Sequence, residues 1–80
     1  MDRDEVAFIA DQLGEARAAL ASADNDRAAR LLLALEAEAP ESGVVDELIM
    51  TAAERLAKQA KTGDEQARAA LLDLLRKVAG

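Results

Sequence analysis

Carboxylates are the only side chains in this sequence with the numbers and reactivity to suggest chemistry. They occur in close pairs: Asp24 with Asp26, Glu36 with Glu38, Asp46 with Glu47. Two carboxyls held together share a proton or grip a hard cation, but residues one or two apart on a helix point away from each other. As helix caps and solvated groups these six are accounted for without acid–base work. Asp24-x-Asp26 opens like a calcium loop, yet Ala28-Ala29 follows where further ligands and a glycine are needed. The chain has no histidine, so the commonest general base and metal ligand is missing, and no cysteine, so thiol and zinc-thiolate chemistry is missing too. Ser22 and Ser42 have no imidazole to activate them. The four glycines are scattered and build no phosphate loop. The chain therefore reads as no enzyme, with no catalytic residue, cofactor, metal or small-molecule substrate.

What must position these residues is a set of helices, because no stretch alternates apolar and polar with the period of a strand. The densest apolar run follows Asp24-Asn25-Asp26, whose short acceptors and negative charge suit the free N–H groups of a helix start. Ala28, Leu31, Leu32 and Leu35 then recur on one face. Leu33 falls off it, which predicts a central helix contacted from two sides or, failing that, an exposed apolar spot. Before this run, acids from Asp2 to Glu5 open a first helix with the stripe Val6, Ile9, Leu13, Ala16 and Leu20, ending near Ser22. Gly14 inside it marks a close crossing, a kink or nothing.

The second helix ends near Ala39, since Pro40 disfavours helical geometry before it. Pro40-Glu41-Ser42-Gly43 is the main loop, with Ser42 as the cap of a third helix whose face is Val45, Leu48, Ile49, Ala52, Ala53, Leu56 and Ala60. Its solvated side carries Glu54 and Lys58. At Thr62-Gly63-Asp64-Glu65 two boundaries compete. Gly63 suits a left-handed helix end, whereas Thr62-x-x-Glu65 has capping-box spacing. Ala67, Leu71, Leu74, Leu75 and Val78 form the last stripe, and Arg76-Lys77 suit the negative helix end.

The expected fold is all-α: one domain over 1–80, a compact four-helix arrangement of two antiparallel hairpins, TPR-like or an up-down bundle. Hairpin one covers about 2–39, the loop 40–43 and hairpin two about 44–79. Sliding the chain by forty residues aligns Phe8 with Leu48, Ile9 with Ile49, Asp24 with Asp64, Leu32 with Leu72 and Leu35 with Leu75. Two such repeats are too few for an open solenoid, so they close on each other or continue through a partner.

Twenty alanines and one aromatic residue, Phe8, make the core thin for eighty residues. Self-association or docking would add burial. Residues 1–42 hold ten acids and four bases, whereas 43–80 hold six of each, so the whole net charge of −6 lies in the first half. That half repels nucleic-acid phosphates and suits solubility or a basic partner. With no basic, apolar leader and no run near about eighteen apolar residues, a soluble, cytoplasmic protein that stays out of membranes is expected.

Two segments resemble a known family. Ala18-Ala19-Leu20-Ala21…Asp24-x-Asp26-x-x-Ala29-Arg30-Leu31-x-Leu33-Ala34-Leu35 looks like the start of a degenerate tetratricopeptide-type unit. Gly63-Asp64-x-x-Ala67-Arg68-x-Ala70-Leu71-Leu72-x-Leu74-Leu75, ending at Gly80, looks like its close. Together they are similar to the TPR-like C-terminal helical region of bacterial co-chaperone thioredoxins, over roughly Ala18 to Gly80. The thioredoxin domain is absent, and the loop from Pro40 to Gly43 is about two residues longer than that family's. The resemblance implies a helical protein-binding module and carries no catalytic residue. Ser42 followed by Glu47-Leu48-Ile49-Met50 also resembles the helix after the phosphopantetheine serine of acyl carrier proteins, although Glu41-Ser42-Gly43 replaces Asp-Ser-Leu and the first hairpin is too long.

The reading that follows is a non-enzymatic helical interaction module, chaperone- or adaptor-like, whose partner is another protein or a second copy of the chain. The apolar positions left over from the stripes, Phe8, Leu33, Val44 and Leu72, are its candidate docking residues. The alternatives are a small acidic inhibitor or decoy of phage type that blocks a basic surface and, more distantly, an acyl-carrier-like or designed bundle.

Overall fold

A computed structural model describes residues 3–79, apart from the side chains of Val78 and Ala79. The expected roles of Asp2 in the first helical turn, Val78 in the last stripe and Gly80 at the end of the family-like unit lie outside the described residues. Four helices make up the fold: α1 (Arg3–Ala21), α2 (Asn25–Glu38), α3 (Gly43–Lys61) and α4 (Glu65–Ala79), with no strand among the described residues. The protein is all-α, as the periodicity requires.

The forty-residue repeat is written into the element boundaries. α3 begins and ends forty residues after α1, and α4 begins forty after α2. The two hairpin turns also close with the same pair of backbone bonds. In the first, the Ala23 N–H donates to the Leu20 carbonyl (3.1 Å) and the Asp24 N–H to the Ala19 carbonyl (2.8 Å). In the second, Gly63 donates to Ala60 (3.1 Å) and Asp64 to Gln59 (3.3 Å). Both are the paired bonds of a Schellman ending, which need a left-handed residue just past the helix. Ala23 has φ 61° and Gly63 has φ 96°.

Gly63 settles the competing boundary. The cap of α4 is Asp64, whose Oδ1 accepts from the Ala67 N–H at 3.0 Å. Thr62 is not the cap, because its hydroxyl donates back to the Gln59 carbonyl at 2.7 Å. Asp24 serves α2 in the same way, accepting from the Arg27 N–H. Ser42 caps α3 as expected, accepting from the Val45 N–H at 3.3 Å. That helix takes in Gly43, so the loop is one residue shorter than expected at this end.

α2 is the organising helix: it packs against α1, α3 and α4. α1 touches α2 extensively and α3 slightly, and α1 and α4 make no close approach among the described residues. The hairpins therefore lie side by side through α2. Leu32, Leu35, Val45, Leu56 and Leu74 are the largest fully buried side chains. Ala16, Ala28, Ala52 and Ala67 are also fully covered, and a methyl group at such points lets helix axes come close. Leu33 rests half-buried against this core, as a helix contacted from more than one side requires. Arg55 of α3 donates from Nη1 to the Leu20 carbonyl near the end of α1, placing a cation at a negative helix end and tying the hairpins together.

Two stripes are covered for only part of their length. Val6 and Leu75 are exposed rather than buried, because the outer helices α1 and α4 have neighbours on fewer sides than α2. Gly14 marks no close crossing, since no neighbouring atom lies within 4 Å of where a Cβ would sit.

Candidate interaction surfaces

The carboxylate pairs read along the helices do not converge. Glu38 lines a shallow hollow with Asp4, Glu5, Phe8 and Ile9, while Glu36 lines another with Pro40, Asp46, Ile49 and Met50. Glu47 is exposed, and its backbone carbonyl accepts from the Thr51 hydroxyl at 3.1 Å. The pair that does meet is Glu36 with Asp46, ten residues apart and on different helices. Burial pushes the Glu36 carboxyl above its ordinary value, and the Asp46 charge and a hydrogen bond with Asp46 raise it further. Its Oε2 is buried without a hydrogen-bond partner. Two carboxyls fall short of a cation cage, and no group of three or more acidic side chains among the described residues is placed to hold a metal ion.

The apolar candidates lie at separate places. Phe8 is about half exposed and forms one wall of the acidic hollow between α1 and the end of α2. Leu33 lies in an open groove of about 310 Å³ between α2 and α4, with Ala29, Ala69 and Ala70 beside it and Asp26, Arg30, Gln66 and Asp73 around them. Val44 is exposed in the first turn of α3, and Leu72 is exposed on α4. No single hollow among those described holds two of the four.

Among the described residues, three further large apolar side chains are exposed: Val6, Met50 and Leu75. Leu75 lies three residues from Leu72, so the two share a face of α4. The repeat was the signal that could have exposed this pair in advance. Leu72 and Leu75 stand where Leu32 and Leu35 stand in α2, and no helix follows α4 among the described residues to cover them. No helix among the described residues is long and apolar enough to cross a membrane.

Compared with known proteins, the chain has no match among family models, characterised proteins or solved structures.

Proposed function

We propose that this chain is a non-enzymatic helical interaction module that holds another protein chain through apolar side chains left uncovered on its outer helices. The observation that carries the reading is the pair Leu72 and Leu75, 44 % and 50 % exposed on one face of α4 in a protein whose core is lined with alanine. A small core gains most from burying such leucines against a partner, at roughly 25 cal/mol per Å² of apolar surface removed from water. The side-by-side hairpins fit the adaptor-like role that the TPR-like resemblance implies.

The test is cross-linked affinity capture with the wild type and with an F8E/V44E/L72E variant. All three residues are exposed, so the variant should melt like the wild type. Partners held by the wild type and lost by the variant are expected, and an unchanged captured set would refute the reading.

The concentration of the net charge in residues 1–42 favours a second reading, an acidic decoy for a basic groove. Salt separates the two. A decoy's affinity falls steeply as ionic strength rises, whereas an apolar contact holds.

A further inference from the structure

The C-terminal end of α2 lacks a cation that the other three helices have. A helix presents partial negative charge at this end, where a cation is stabilising and a carboxylate is not. α3 ends on Lys58 and Lys61, and α4 on Arg76 and Lys77. α1 has no base in its last turn and receives one from α3, Arg55, whose Nη1 donates to the Leu20 carbonyl. Among the described residues α2 has neither arrangement. Its last turn holds Glu36 and Glu38 and no base, and the bonds at its end are backbone ones, from Ala39 to Leu35 and from Ser42 to Ala39.

Two hollows share Glu38 at this end. One, of about 250 Å³, sets Phe8 and Ile9 beside Asp4, Glu5 and Glu38. The other, of about 380 Å³, sets Ala39, Pro40 and Ser42 beside Glu38 and Glu41. Of the nine residues lining the two, four are acids and none is a base. Asp4 and Glu5 suit the first turn of α1 and Glu41 the start of α3, whereas Glu38 is set against the dipole of its own helix. Phe8 is half exposed next to these carboxylates. An aromatic ring there attracts a cation through its quadrupole, while an alkyl stem covers the ring and Ile9. Arginine and lysine have that build. Nucleic-acid phosphates and anionic membrane surfaces carry the wrong sign.

We propose that the hollow between Phe8 and Glu38 receives an arginine or lysine from a basic, partly apolar segment of a partner protein. α2 then obtains from outside the chain the kind of cation that α1 receives from Arg55. This rests on the interaction-module reading and adds to it the place and the charge of one contact. The −6 carried by residues 1–42 fits such a segment, since opposite charge speeds encounter. Phe8, Ile9, Ala39 and Pro40 then hold its apolar side chains by a contact that salt does not screen.

The probe is a labelled peptide of alternating arginine and leucine, titrated against the full chain by fluorescence anisotropy and by amide chemical shifts. The shifts should fall on Asp4, Glu5, Phe8, Ile9 and the stretch from Glu38 to Ser42. F8A and E38Q should each weaken binding at least about threefold, the factor for one exposed cation–π contact or ion pair. E54Q removes the same charge from the solvated side of α3 and should bind as the wild type does. All three positions are exposed, and matching melting curves would show that the variants are folded. Citrulline in place of arginine should abolish binding, whereas raised salt should weaken it and leave a measurable remainder. Shifts scattered over other acids, equal losses in E54Q and E38Q, or displacement by spermine at equal charge each overturn the proposal. So does complete loss in salt, which marks bare charge attraction. If the peptide fails yet a V44E/L72E variant loses captured partners, this site falls and the interaction-module reading stands. If the peptide fails and no captured partner depends on Phe8, Val44 or Leu72, both fall.

Discussion

Ala23 and Gly63 occupy the same left-handed position in two turns closed by the same pair of backbone bonds, so exchanging their residue types isolates one energy. An L-residue in that conformation costs roughly 1–2 kcal/mol because its Cβ crowds the following carbonyl. Glycine avoids this cost but loses more freedom on folding, which takes back roughly 0.5–1 kcal/mol. Ala23→Gly should therefore stabilise the protein by about 0.5–1 kcal/mol. Gly63→Ala should destabilise it by a similar amount, with no steric addition, since nothing lies within 4 Å of the new methyl group. For a chain of this size these changes correspond to melting shifts of about 3–6 °C, upward for the first and downward for the second. Thermal and urea unfolding followed by circular dichroism at the helix band measures both. The urea slope should stay constant if only the native turn is affected. If Ala23→Gly lowers stability, the first turn does not hold its left-handed residue, and the equivalence of the two hairpins fails with it.

Gly14→Ala should raise stability by about 1 kcal/mol, because Gly14 sits inside α1 with open space around it; a loss in the same melts would mean that the glycine serves a close contact. Asp64→Ala should cost about 1 kcal/mol, while Thr62→Ala should change little; the reverse order would restore Thr62 as the cap. Glu36→Gln should raise the melting temperature at neutral pH. The folded-state pKa of Glu36 lies above its unfolded value, so its contribution is fully present below the unfolded pKa and is lost as pH rises through the folded one. The gain from Glu36→Gln should accordingly shrink as pH falls into the ordinary glutamate range, and a gain that grows toward acid would contradict the placement of Asp46 beside it.

Helix number, approximate helix ends and the cap at Ser42 are legible, as is a start of the second helix within Asp24–Asp26, because they depend on local chemistry: short acceptors, a proline, and apolar steps of three and four. The left-handed residue was legible at Gly63 and not at Ala23, since alanine carries no turn signal and only the paired hydrogen bonds reveal its conformation. Leu33 announced a second contact for α2 by falling off its stripe. Val6 and Leu75 misled because periodicity tells which side of a helix is apolar, and coverage depends on how many neighbours that side meets. Glu36 and Asp46 are not legible as a pair along either helix, because their proximity is a property of the α2–α3 packing.

Ala16, Ala28, Ala52 and Ala67, each with no exposed surface, also limit how the sequence can change. Where a bulky side chain fills an interior, a neighbour of different shape can often be traded against it. A methyl group wedged between rods leaves no volume to trade. Enlarging any of the four to valine or leucine forces two axes apart along their length, at roughly 1–3 kcal/mol or more for each misfit. Sequences that keep this fold should thus drift freely over their charged outer positions while holding small residues at these four.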